Sequence, residues 1–289
     1  MSLDPPVLIW CIAVPGLTML LALWGTRWLT GSSSTAPSCV ANIVLAFGYW
    51  VAVAIAAYGM GHLQSEQTSF WPEDAWPRVL APMLLVVLLA GTLSPLRVLS
   101  AEAVWISLAV ISVGASLLVM PTGDGWVDTL PLHRFWMAAI AISTILNSFL
   151  LHEIFTRGAS RWLPLILLAH LACAAIIGAS AYGALFEWCL AAIVVTAATS
   201  LFSATGWIAN SFAIVFTSVL FAASMIAAGR FYSYAEITPV AYGVALFAPT
   251  LIAAGDLFLH KRAVWIRVAA SAVFATVIVS SVAYWFLVA

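Results

Sequence analysis

Ser143, Thr144, Asn147, Ser148 and His152 recur within one apolar run of the chain. At about 100° per residue they fall within roughly half of a helix circumference. A polar stripe of this kind on a helix in lipid faces the bundle interior or a water-filled cavity. It suits one wall of a path for a small substrate or a proton, and the same residue types also serve as hydrogen-bond glue between helices. Glu153 follows at the end of the run, beside Arg157, as a candidate proton site. His170, midway along the next run, is the most central ionisable group. A neutral imidazole there could hold a substrate, relay a proton or ligate a metal. It could equally be a packed histidine bonded to a neighbouring hydroxyl or carbonyl. Glu187, in the first turn of the following run, is a second candidate proton site, because a helix N-terminus favours an anion. Its plainer role is that of a carboxylate at the membrane interface.

Other chemistries lack their residues. There is no GxSxG and no HExxH, and His152–Glu153 has no second histidine at the required spacing. The GDG of 123–125 has no strand–helix context and reads as a turn. Cys173 lies one turn from His170, but one His/Cys pair is a poor metal site, and no second histidine at matching depth supports haem. Cys11, Cys39, Cys173 and Cys189 show no CxxC spacing and read as small buried hydrophobes. No catalytic residue, metal ligand or cofactor is assigned.

The elements that must position these residues are set by composition. Of 289 residues, 7% are charged and 64% hydrophobic, with a mean hydropathy of +1.11. A water-facing surface needs more charge than that, so a soluble domain is excluded. A net charge of −1 gives no footprint for nucleic acid. Ten apolar runs, at 6–25, 39–60, 79–94, 101–120, 134–156, 162–182, 184–204, 207–228, 237–258 and 264–287, each approach the length that crosses a ~30 Å hydrocarbon layer. They do not alternate as barrel strands would. The expectation is an all-α, polytopic integral membrane bundle of about ten helices forming a single domain over 1–289.

Charge is confined to the breaks between runs. With ten spans and the N-terminus outside, seven Lys and Arg residues (Arg27, Arg97, Arg157, Arg161, Lys261, Arg262, Arg267) fall on the cytoplasmic side, and three (Arg78, Arg134, Arg230) fall opposite. That agrees with the positive-inside rule and predicts N-out, C-out. The second half fits only if the number of helices between 162 and 228 is odd. Thirteen of the fourteen tryptophans stand near predicted helix ends, where an indole finds both apolar and polar surroundings. Trp50 is the exception and reads as helix packing. Pro15–Gly16 and Pro249 are candidate interruptions of the first and ninth helices. Asp256 reads as a salt-bridged charge near Lys261 and Arg262. No five-plus-five inverted repeat is visible.

The stretch SPLRVLSAEAVWISLAVISVGASLLV (94–119) resembles the third-to-fourth helix region of drug/metabolite transporters, and FAPTLIAAGDLFLHKR (247–262) resembles their ninth-helix region. The resemblance implies a carrier whose chain starts inside. The charges here give the opposite start, so it does not enter the site assignment. From the residues themselves the expected function is a transporter-like carrier of a small molecule, with Ser143, Thr144, Asn147, Ser148, His152 and His170 along its path. The alternative is a non-catalytic subunit or scaffold buried against other membrane subunits. The expected partners are the lipid bilayer and either a small-molecule substrate or those subunits. The expected location is the cytoplasmic membrane of a bacterium.

Overall fold

The computed structural model describes residues 5–30, 39–64, 75–89, 100–121, 130–156, 162–204, 212–233 and 237–287. Among them every regular element is a helix. In chain order these are α1 (5–30), α2 (Cys39–Gln64), α3 (Trp76–Leu89), α4 (Ala101–Val119), α5 (Leu130–Thr156), α6 (Leu163–Ala181) and α7 (Gly183–Ala204). They continue with α8 (Phe212–Tyr232), α9a (Pro239–Leu246), α9b (Ala248–Phe258) and α10 (Val264–Leu287). Eight of these helices are long and apolar enough to cross a membrane, and α9a with α9b, bent by 53°, makes a ninth. The protein is an all-α, polytopic membrane bundle.

The expected count of ten falls short at the third run. There α3 is shorter than a crossing, and residues 90–94 of that run lie outside the described residues. Boundaries also move. α1 continues to Thr30 and α2 to Gln64, while α5 starts at Leu130, with Pro131 in the first turn, where its missing N–H costs nothing. α8 covers Phe212–Tyr232 in place of 207–228. Gly229 lies inside this helix, and the Ile177 side chain packs where a Cβ would sit.

Each proline interruption is resolved differently. Pro15 lies inside the helical segment Val14–Thr30, and the turn before it, Leu8–Ala13, widens to a π-helix in which Val14 N–H reaches back to Ile9 C=O. A proline ring clashes with the carbonyl four residues earlier, here Cys11, and the wider turn gives it room. α1 therefore remains unbroken. At Pro249 the clash falls on Ala245, and the helix breaks at Phe247, whose φ of −97° and ψ of 11° lie outside the helical region.

Three helices occupy 162–232, so the odd count that the topology requires is met. α6 and α7 are joined by Tyr182 alone, whose N–H bonds Gly178 C=O at 2.8 Å and whose C=O accepts from Leu185 N–H at 3.0 Å. A Cβ on Gly178 would stand 2.7 Å from Phe186 N and 2.9 Å from the Leu185 carbonyl carbon, so this hairpin closes only around glycine. α8 is the central pillar. Every residue from Ala213 through Gly229 is buried, and the helix touches α2, α3, α4, α5, α6, α7 and α9a.

Ring contacts order the two ends of the bundle. His133 at the start of α5 meets Phe231 at the end of α8, and Trp136 meets Tyr242 at the start of α9a, which in turn meets Phe286 at the end of α10. The ring of Trp10 in α1 covers Gly59 near the end of α2. Residue 5 and residue 287 thus lie at one end, which also carries Arg230. Lys261 and Arg262 lie at the other.

Gly178→Ala should destabilise the protein by about 1–3 kcal/mol, since the clash is with backbone and cannot be relieved by a rotamer change. Thermal unfolding of the purified protein in detergent measures this. A transition temperature equal to wild type would show that the hairpin has slack.

Candidate functional site

Asn147 inserts its carboxamide into the broken ninth helix. Its Nδ2 donates to Leu246 C=O at 2.8 Å, and its Oδ1 accepts from Thr250 N–H at 3.0 Å and from Thr250 Oγ1 at 2.6 Å. Leu246 C=O and Thr250 N–H are the pair that an unbroken helix would join to each other. The Asn147 side chain is an amide, so it stands in for a peptide group and satisfies both. It is fully buried.

The rest of the stripe divides by direction. Ring contacts of His133 with Phe231 and of His152 with Phe212 lie nineteen residues apart on each helix, which sets α5 and α8 antiparallel and in register. On the α5 wheel Thr144 and Ser148 fall between His133 and His152, so both face α8, level with Leu220 and Phe216. Ser224, seven residues before Phe231, faces α5 from the other side. Ser143 points elsewhere and donates to Ile140 C=O at 3.0 Å.

Most hydroxyls in the spans bond back to their own helix. Thr18, Thr26, Ser112, Thr199, Ser200 and Thr217 all donate to a carbonyl four residues earlier. Thr144, Ser148, Ser224 and Ser271 do not, and their oxygens are buried with no hydrogen-bond partner. His170, at 0% exposure, has neither ring nitrogen bonded. On α6 it lies seven residues before Ile177, which packs on Gly229, so it faces α8 near the level of Ala222.

The other predicted residues lie apart from this layer. His152 is half-buried, in edge-on contact with Phe212 at 4.8 Å and Trp105 at 5.7 Å. Glu153 is half-buried next to it in sequence, at the Lys261 end of the bundle. Glu187 is half-buried near the start of α7, a helix that packs on α1, α2, α6 and α8. The structure therefore places Ser143, Thr144, Asn147, Ser148 and His170 in the middle of α5 and α6, whereas His152 and Glu153 lie toward the end of α5 and Glu187 near the start of α7.

Several functional-looking contacts had no sequence signal. Tyr49 OH accepts from Ser218 Oγ at 2.7 Å and lies 3.3 Å from Thr196 Oγ1, all three buried, linking α2, α7 and α8. The Trp50 and Trp188 indoles donate to the Leu80 and Val53 carbonyls at 2.9 and 2.8 Å. Trp50 is thus a helix-packing residue, as its position implied. Asp256 pairs with Arg267, not with Lys261 or Arg262, which are exposed. The pair is bidentate, at 2.9 and 2.6 Å, and the Arg267 guanidinium stacks on Trp162 at 4.9 Å. The planar fork of arginine favours this arrangement over lysine.

Among the described residues, no three of His, Cys, Asp and Glu converge as a metal site would need. An apolar groove of about 500 Å³ opens on the outside of α5, lined by Trp105, Ile142, Ile145, Leu146 and Phe149. Ile142 is 57% exposed, so the groove faces lipid and not the polar layer. No protein-family model, curated protein or solved structure matches the chain.

Asn147→Leu keeps the volume but leaves Leu246 C=O and Thr250 N–H unpaired, and should cost about 1–3 kcal/mol for each. Asn147→Asp retains the acceptor for Thr250 and should fall between. Equal melting temperatures for the three proteins would count against the insertion. Asp256→Ala or Arg267→Ala alone should cost about 3–5 kcal/mol, while Asp256→Leu with Arg267→Met should recover most of that loss. The same melts decide it, and a double variant as weak as either single one would contradict the pairing.

Proposed function

We propose that the protein is a membrane carrier of a small molecule, whose path runs at mid-depth between α5, α6, α8 and α9, with the Arg230 end facing out. The observation that carries this reading is the helix broken at Phe247 and held open by Asn147. Discontinuous helices are the parts from which many carriers build midplane sites, since backbone that leaves the helical ladder is tolerated only where protein or a lined cavity receives it. The break stands beside a layer of buried polar groups that lack protein partners. In a packed scaffold such groups would be replaced by apolar ones or bonded to their own helix, as many other hydroxyls here are. Ser143 and Asn147 serve the architecture of this path, and Thr144, Ser148 and His170 are its contact residues. His152, Glu153 and Glu187 stand toward its two ends, where the carboxylates are placed to exchange protons with water.

Water access tests the reading without knowledge of the substrate. In a background with Cys11, Cys39, Cys173 and Cys189 replaced by alanine, Thr144→Cys and Ser224→Cys should react in proteoliposomes with a membrane-impermeant methanethiosulfonate. Ile142→Cys, on the lipid face, should not. If the two interior positions stay unlabelled from both sides, the carrier reading falls and a packed, non-catalytic membrane subunit takes its place.

A further inference from the structure

We infer that Arg230 and Tyr242 form a binding site for an oxyanion, a carboxylate or phosphate group, at the Arg230 end of the bundle, whatever the path between the helices carries. The site is built where α8 ends and α9a begins, two helices that pack against each other. Arg230 lies in the last turn of α8, and Tyr242 is the fourth residue of α9a. The guanidinium carbon stands 5.5 Å from the centre of the Tyr242 ring. Trp136 and Phe286 meet the same ring edge-on, at 5.8 and 4.9 Å, and hold it in place.

Arg267, at the opposite end, shows what such a guanidinium needs. It stacks on an aromatic ring, Trp162, and its fork holds the Asp256 carboxylate at 2.9 and 2.6 Å. Arg230 repeats the first half of that arrangement and lacks the second. It is half-buried, its Nε is shielded from water with no hydrogen bond, and no carboxylate among the described residues pairs with it. Stacking uses the flat face of a guanidinium and leaves the N–H donors in its plane for an acceptor. The end of α8 favours a cation, since a helix C-terminus is the negative pole, but that attraction supplies no bidentate partner.

The surroundings of the fork also call for negative charge. Tyr242 is fully buried and its hydroxyl makes no hydrogen bond; the Ser233 hydroxyl comes near, but the two do not meet in bonding geometry. An unbonded hydroxyl out of water is unfavourable, and it can donate to an anion held by the guanidinium. The ring that Arg230 covers belongs to the start of α9a, the positive pole of that helix, and Thr238 at its N-cap makes no capping bond. Guanidinium and helix N-terminus repel unless an anion lies between them. Thr238, Pro239 and Val240 are exposed, so a guest can enter from the end of the bundle. The described carboxylates stand elsewhere: Glu102, Glu153 and Asp256 toward the Lys261 end, and Glu187 beside Cys11 of α1. A bidentate fork takes a carboxylate or a phosphate alike.

Melting curves of the full-length protein in an uncharged detergent test this, with sodium phosphate or sodium acetate set against sodium chloride of equal ionic strength. A second arm adds phosphatidylglycerol or phosphatidylcholine to the micelles. The melting temperature should rise saturably, by ~2–4 °C or more, with at least one of phosphate, acetate and phosphatidylglycerol. A rise with a soluble anion identifies a free oxyanion as the guest, and a rise with phosphatidylglycerol alone identifies a lipid headgroup. Arg230→Gln should abolish the rise, and Arg230→Lys, which keeps the charge without the fork, should lose most of it. Tyr242→Phe should increase the anion concentration required by ~10-fold. Each variant is compared with its own melt in chloride, so a lower starting stability does not hide the shift. If Arg230→Gln fails to fold, Arg230→Lys and Tyr242→Phe decide. No rise with any of the three anions, or a rise that these substitutions leave unchanged, would overturn the inference. So would a rise seen only after Glu236→Gln, a position outside the described residues, because Glu236 would then be the fork's own partner.

Discussion

Every backbone N–H and C=O inside a bilayer must find a partner within the protein, and the arrangement of α5, α9 and α10 depends on a place where a helix fails to supply it. Pro249 prevents α9 from continuing straight, and the break at Phe247 separates Leu246 C=O from Thr250 N–H. The Asn147 amide occupies that gap as a surrogate peptide. α5 and α9 are therefore locked at a particular relative height, and α9b leaves the break in a new direction. That direction brings Asp256 to Arg267 and, through the guanidinium, to Trp162 at the start of α6. Pro15 poses the same steric problem and meets a local answer, a widened turn within its own helix. The difference is that the first solution couples three helices and the second couples none.

Packing around α8 follows from a second constraint. A helix buried on all sides cannot carry long side chains everywhere, and the buried stretch includes Ala213, Ala222, Ala223, Ala227, Ala228 and Gly229. Small residues let neighbouring backbones approach, which is the main source of helix association where no hydrophobic effect operates between helices. Tyr49 and Phe216 fill the wider parts of the interface, and the Tyr49 hydroxyl is bonded in place by Ser218. The polar groups left over at this depth are then conspicuous. Many hydroxyls elsewhere return to their own helix carbonyls, whereas those of Thr144, Ser148 and Ser224 are buried with nothing in the protein to bond.

Legibility of the site in the sequence was uneven, for identifiable reasons. The α5 stripe could be read because a helical period is a property of spacing alone. Which of its members serve structure and which face a seam could not, because that depends on where α8 and α9 lie around the α5 axis. Asn147 and Ser143 turn toward one neighbour and Thr144 and Ser148 toward another, though all four share half a circumference. Thr250 follows a mid-helix proline, and that was the signal available for the break. The partner of Asp256 was misread because Lys261 and Arg262 are nearer in sequence, while the turn between α9b and α10 carries them into solvent and presents Arg267 instead.

Hydropathy and charge by themselves determined membrane residence, the all-helical class and the placement of nearly all spans, since an apolar run of sufficient length has only one way to satisfy its backbone in lipid. They also marked Pro15 and Pro249 as points of stress. Tertiary structure decided everything that needs two helices to define: that Pro249 breaks its helix while Pro15 does not, that an asparagine one hundred residues away completes the broken ladder, and that His170 faces the central pillar. A hydrogen bond across a seam is fixed by the relative height and rotation of two helices, and neither quantity is written in the sequence of either one.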